Sequence, residues 1–167
     1  MRIAITGHTA GIGRRFMERF PDTIGFSRTN GYDITNHLDR QRIVDESGDC
    51  GVFINNAAAG YGQTELLLEL FKRWRDQDKI IVNVGSRIAQ PGVNLHNHTN
   101  LLSYQSQKVI LKEMSERLSK FESSCRVKYT WFGYVGTEYI LKKYPHFTTA
   151  DYITEDQSVD IIAQEFM

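Results

Sequence analysis

The sequence predicts an α/β fold of three layers, a parallel sheet doubly wound with helices on both faces. Three observations carry this. Short apolar runs of strand length alternate with longer amphipathic runs of helix length, and that alternation is the pattern of a parallel sheet covered on two sides. A glycine-rich segment, Thr6 to Gly13, lies between the first apolar run and the first helical run. The chain has 167 residues, 41% hydrophobic and 24% charged, which suits one globular domain with a proper core.

The elements follow in order. Arg2 to Thr6 reads as a buried strand, and the helix after it carries Ile12, Phe16 and Phe20 on one face. Thr23 to Ser27 is a second strand, and Tyr32 to Ile34 reads as the stub of a third. Asn36 to Glu46 has helical character, and Gly51 to Ile54 is a strand ending in Asn55-Asn56. Thr64 to Asp76 is predicted as a helix burying Leu67, Leu70, Phe71 and Trp74, followed by a strand over Lys79 to Val84. Leu101 to Lys120 is a long helix whose stripe is Leu111, Met114, Leu118 and Phe121. Arg126 to Phe132 is a strand, with Trp131 and Phe132 expected to fill the inner sheet. Thr154 with Gln157 forms a capping-box pattern opening a last helix that buries Val159, Ile162 and Phe166. The count is six strands.

Composition excludes some partners. Lysine plus arginine and aspartate plus glutamate both number 20, so no global basic field calls for nucleic acid or an anionic membrane. No window reaches the ~18 apolar residues of a membrane span. Cys50 and Cys125 form no metal-type spacing and no disulfide framework. The N-terminus runs at once into glycines and lacks the longer apolar region of a signal peptide. The expectation is a cytoplasmic chain.

The glycine segment, TGHTAGIG, carries the most chemistry. Gly7 lets the chain turn sharply, Gly11 lets backbone approach a pyrophosphate, and Gly13 permits close helix packing. The helix behind them offers free N–H groups and a positive dipole end. The fold is therefore expected to be of Rossmann type. Later segments extend the pattern: Asn55-Asn56-Ala57 after a strand, Asn83-Val84-Gly85-Ser86 at a strand end, Tyr104 with Lys108 at a spacing of four, and Gly133 to Thr137. Together, in this order, these segments resemble the short-chain dehydrogenase/reductase family, and the resemblance runs along most of the chain. Ala58 stands where the family has glycine, and Phe132 where it has proline.

The resemblance implies a nicotinamide dinucleotide held by Thr6, Gly7, Thr9, Gly11, Ile12, Gly13, Ser27, Arg28, Asp33, Asn55, Asn56, Ala57, Tyr104, Lys108 and Thr137. Asp33 would lie near the adenine and Thr137 near the carboxamide. NAD binders usually place an acidic residue at the end of the second strand. Here Ser27 and Arg28 stand there, and a guanidinium suits a 2′-phosphate by charge and by its forked donors. Arg14 or Arg15 is expected to assist. The cofactor expected is NADP(H).

Tyr104 and Lys108 share a face one helical turn apart. Free tyrosine titrates near ~10, and a nearby ammonium lowers that value. The resemblance implies Tyr104 as acid/base toward a small carbonyl or alcohol, Lys108 as its partner and a ribose ligand, and Ser86 as the group that orients the substrate oxygen. A resident metal is not expected. His96 and His98, in the unusual stretch Gln90 to Asn100 between Ser86 and Tyr104, lack a third ligand; that stretch reads as a solvated or substrate-contacting loop.

Departures from the family pattern are expected to matter. A full member runs to about 250 residues as one domain, and here a seventh strand is missing. The chain is contracted after Arg28, and only 30 residues separate Asn56 from Ser86. The helix from Glu65 to Asp76 has no asparagine of the kind the family uses to hold a relay water. The substrate lid is reduced to residues around 138–153 of a single domain covering 1–167. The long helix, apolar also at Leu101, Leu102, Val109 and Ile110, is expected to pair copies into a homodimer or homotetramer. The competing expectation is a non-catalytic NADP-binding sensor or scaffold. Nucleotide-sugar epimerisation fits less well, because its glycine spacing and large C-terminal domain are absent.

Overall fold

The structure is a computed structural model that describes residues 1–96 and 98–167. Five strands form one parallel sheet: β1 Ile3–Thr6, β2 Ile24–Phe26, β3 Val52–Asn55, β4 Ile80–Val84 and β5 Arg126–Thr130, in the order β2-β1-β3-β4-β5. The helices are α1 Gly11–Arg19, α2 His37–Glu46, α3 Gly62–Trp74, α4 Leu102–Leu118, α5 Glu138–Lys143 and α6 Glu155–Ala163. Alternate side chains of each strand go to opposite faces, as the two-residue period of a strand requires. Ala4, Phe53, Ile81 and Val127 pack under α2, α3 and α4, around Leu67, Leu70, Trp74 and Leu111. Ile5, Val52, Ile54 and Val82 face α1 and α6, around Phe16, Val159 and Ile162. The three-layer, doubly wound α/β fold is thus present.

The strand count differs from six. Tyr32 to Ile34 adds no strand to the sheet. Its backbone is satisfied by side chains instead: the Asp33 amide donates to Asp39 Oδ2 at 3.0 Å, and Arg40 Nη1 donates to the Ile34 carbonyl at 2.9 Å. Its apolar side chains still go inward, Ile34 into the core and Tyr32 edge-on to Phe26. Two inward residues in three mimic a strand in sequence, but the chain is already entering α2, whose N-cap is Asn36.

Chain order reverses between β1 and β3. From β1 the chain moves outward to β2, and from β3 onward it moves the other way. Beyond the carboxyl ends of these strands lies the crevice in which such sheets bind ligands. The turns after β1, β3 and β4 all open there.

At the opposite edge β5 pairs only with β4. Arg126 and Lys128 are exposed along it, which guards an open edge against further strand pairing. Phe132 is buried beyond β5, but Trp131 is 45% exposed. The segment from Tyr134 to Ile153 folds over its own aromatic cluster, with Tyr144 and Phe147 stacked at 4.8 Å and Tyr134 against both. A single parallel bridge, Val135 to Ile153, closes its base. Among the described residues, no helix is long and apolar enough to cross a membrane.

Candidate active site

The turn after β1 is shaped for an anion. Gly7 adopts φ 74°, a conformation that side chains rarely take. A Cβ on Gly13 would overlap the Gly7 carbonyl oxygen, so only glycine lets α1 start this close to the turn. Ala10 caps α1 without any side-chain hydrogen bond, so the first-turn N–H groups stay free for a ligand. Thr6 is fully buried, and its hydroxyl accepts the amides of both Asn56 and Ala57 at 3.0 Å. Asn56 returns its side-chain amide to the Thr6 carbonyl at 3.0 Å. The ends of β1 and β3 are thereby locked into one rim. Thr137 packs on Gly11, and together with Arg14, Glu138 and Lys142 it borders a cleft of about 400 Å³ above the turn.

At the end of β2, Ser27 and Arg28 enter a 3₁₀ turn, Arg28–Asn30. Asn30 Oδ1 accepts the Ser27 amide at 2.8 Å, and Thr29 meets the Thr9 hydroxyl at 3.5 Å. Arg28 is exposed beside them and makes no ion pair among the described residues. Arg15 is differently employed: it binds Asp156 of α6 through two nitrogens, at 2.8 and 2.9 Å. The His8 ring lies on Gly25 of β2, with its Nδ1 buried and unpartnered. The Asp33 carboxylate accepts the Thr35 amide and hydroxyl at 2.9 and 2.8 Å, and these bonds hold its titration below the usual range. Both bonds go to Oδ1 and fix the carboxylate's orientation in its loop.

Ser86 ends the turn after β4, and its hydroxyl accepts the Ile88 amide at 3.3 Å. Tyr104 and Lys108 project from α4 toward it. Tyr104 is 38% exposed; the surrounding protein pushes its phenol above the ordinary value, and the neighbouring Ser86 hydroxyl pulls it back. A depression by Lys108 is absent from this arrangement. The ammonium sits 5.8 Å from the Tyr104 ring centroid and bonds elsewhere.

Lys108 is 3% exposed. Its Nζ donates to Gln63 Oε1 at 2.8 Å and to the Val84 carbonyl at 3.1 Å. Burial pulls its titration down to about 8. Gln63, in the first turn of α3, also donates through Nε2 to the carbonyls of Asn55 at 2.7 Å and Val84 at 3.0 Å. Asn55 is fully buried and gives its amide to the Gln63 carbonyl and to Asn83 Oδ1. Asn55 therefore belongs to the frame beneath the cleft, while Asn56 and Ala57 form its rim. Sequence reading passed over Gln63, because no motif marks it; its position at the start of the helix after Asn55-Asn56 was the available signal. Tyr129 was also missed. Its ring fills the space that Gly85 leaves empty, bringing a buried hydroxyl up behind Ser86.

The loop after Ser86 is tied down by Gln105, which donates to the carbonyls of Ile88 and Val93 at 3.2 and 3.4 Å. His96 adopts φ 46°. The crevice thus gathers an anion-shaped turn, an exposed arginine at the end of β2, and a hydroxyl, a phenol and a buried amine at the end of β4.

No family model matches the chain, and no curated protein matches it. Solved structures do. A short-chain dehydrogenase from Burkholderia cenocepacia in complex with NADP superposes with a TM-score of 0.77 at 18% identity, covering 98% of this chain and 83% of that one. The 3-alpha-hydroxysteroid dehydrogenase of a Pseudomonas species, complexed with NADH, gives 0.74 at 19% identity, covering 98% and 88%. A C-terminal deletion mutant of Thermoplasma acidophilum aldohexose dehydrogenase gives 0.73 at 17% identity, covering 98% and 88%. With its five-stranded sheet flanked on both faces, the chain has the fold of the short-chain dehydrogenases and reductases.

Proposed function

We propose that this protein is an NADP(H)-dependent oxidoreductase of the short-chain dehydrogenase/reductase family that interconverts a small carbonyl compound and its alcohol. The observation that carries the reading is that Tyr104 neighbours Ser86, with Lys108 5.8 Å from its ring centroid and bonded to the Val84 carbonyl at the end of β4. The bound cofactor would supply or accept hydride.

Everything else falls to the chain. The amides at the start of α1 receive the pyrophosphate, where the positive end of the helix favours an anion. Arg28 receives the 2′-phosphate, with Ser27 and Thr9 beside it. Asn56, Ala57 and Thr137 line the cofactor, and Asn55 braces them from below. Ser86 donates a hydrogen bond to the substrate oxygen, and Tyr104 supplies or takes the proton on that oxygen. Lys108, held by Gln63 and the Val84 carbonyl, offers its remaining N–H to a ribose hydroxyl. The segment 138–153 covers the substrate side, and α4 joins two copies.

Tyr104→Phe tests the reading. It should abolish NADPH consumption against aldehydes, ketones and quinones that the wild type reduces, and leave NADPH affinity unchanged. Unaltered turnover would remove Tyr104 from the chemistry. A wild type that binds NADPH tightly and reduces none of them would favour a sensor or scaffold.

A further inference from the structure

We propose that Gln63 is the positioning residue for Lys108, a neutral clamp that fixes the amine at the end of β4 and leaves one of its proton positions open toward the site. The proposal rests on the reading of Tyr104 and Lys108 as the acid/base pair and adds a residue that the family pattern does not supply.

The clamp's orientation is dictated by its neighbours. Gln63 Nε2 lies 2.7 and 3.0 Å from two carbonyl oxygens, those of Asn55 and Val84. Only an NH₂ group can sit between two acceptors, so the amide cannot flip, and its carbonyl must face Lys108. The residue's own backbone is held as well: its carbonyl accepts Asn55 Nδ2 at 2.8 Å, and that amide's second hydrogen goes to Asn83 Oδ1 at 2.9 Å. Asn55, Gln63, Asn83 and Lys108 are all buried. In so dry a setting, satisfied polar networks rigidify and unsatisfied ones are costly.

The donor count gives the clamp its consequence. An ammonium has three N–H groups, and here two are taken by Gln63 Oε1 and the Val84 carbonyl. A neutral amine has two N–H groups and one lone pair, and fits the same two acceptors. Either state keeps the cradle satisfied, so the proton that comes and goes is always the third. An aspartate or glutamate in place of Gln63 would favour the ammonium over the neutral amine. Among the described residues no carboxylate faces the amine: Glu65 and Glu69 of α3 are engaged by Arg40. Ser86 and the Val84 carbonyl come from the end of β4, Tyr129 reaches the neighbourhood of Tyr104 from β5, and Tyr104 itself is on α4.

The test titrates Lys108 in the free, full-length protein by NMR, using lysine labelled at Cε and Nζ, with the Lys108→Met spectrum identifying the signal. Gln63→Glu should raise the Lys108 midpoint by about one unit or more, because an opposite charge at hydrogen-bond distance favours the ammonium. Gln63→Met, of similar length but without an acceptor, should lower it. In the unaltered protein the Gln63 side-chain amide resonances should move with the same midpoint as Lys108, a measurement that needs no variant to fold. Where a reducible substrate is available, the pH profile of hydride transfer should shift with the Lys108 midpoint in each variant. A Lys108 midpoint unmoved by either substitution, or Gln63 amide signals flat through that midpoint, would overturn the proposal. Normal turnover in Tyr104→Phe would sink the reading of Tyr104 as the acid/base and leave these titrations unchanged, so the two failures are distinguishable.

Discussion

Arg28 illustrates how much a single side chain decides at a strand end. It is exposed, stands between Ser27 and Thr29, and forms no ion pair among the described residues, whereas Arg15 is spent on Asp156. Recruiting Arg28 breaks no ion pair among the described residues, so the selectivity for a 2′-phosphate should rest on it. Arg28→Ala should weaken NADPH binding by about tenfold or more, the worth of one charge-assisted contact, and leave NADH binding unchanged. Fluorescence titration with both dinucleotides checks this; equal losses for the two would assign Arg28 a different role. Arg28 was legible in the sequence because its place is set by a strand end and a missing acidic residue. Gln63 was not, because its importance depends on the carbonyls of Asn55 and Val84, which converge only when β3, β4 and α3 are assembled. Asp33 shows what the sequence left out: the Thr35 amide and hydroxyl both hold its Oδ1 and so fix the carboxylate's orientation.

Among the elements, β4 and β5 meet through an exchange of volume. Gly85, after β4, has no side chain, and the ring of Tyr129 from β5 occupies the space where one would be. Burial pushes the Tyr129 phenol up to about 12, although the Ser86 amide nearby acts against this. Gly85→Ala would drive a methyl group into that ring and shift the turn carrying Ser86. Overpacking of this kind costs about 1–3 kcal/mol, and most of that cost should vanish in the Tyr129→Ala background, where the ring is gone. A double-mutant cycle by urea unfolding measures the coupling, and additive effects would mean that the turn yields freely. The strands and every helix but α5, which was read only as part of a lid, were readable from their periodicity, down to the capping box at Thr154 and Gln157. Tyr32 to Ile34 was misread because two inward residues in three satisfy a strand's period without a ladder. Trp131 was placed inside because its neighbours are core residues, and nothing in the local pattern tells that β5 is an edge.

At the scale of the whole molecule, two surface and interior features have measurable consequences. Leu102, Val109 and Ile110 are exposed on α4 at 53%, 43% and 41%, an apolar surface that a second copy would cover. A dimer or tetramer is therefore expected in light scattering at micromolar concentration, and Ile110→Glu should shift it to monomer; a monomeric wild type would count against pairing through α4. Lys108 has the larger effect on stability. In the folded protein its titration falls from 10.5 to about 8 through burial, so a protonated Lys108 opposes folding. Between those two values the unfolded chain binds the proton and the folded chain does not, so stability should rise with pH across this window by about 1.4 kcal/mol per unit. Below pH 8 the penalty is present in full, and above 10.5 it is gone. Other groups titrate in the same range, so the comparison is with Lys108→Met, which keeps them and loses this one. Unfolding free energies by urea at pH 7, 8, 9 and 10 should show the wild type gaining on the variant from pH 8 upward, with a flat difference below. A difference that stays flat throughout would mean that Lys108 titrates normally. A gain confined to this interval would mean that the protein carries a destabilised amine in the middle of its polar network, a cost sensible only where the proton on that amine is used.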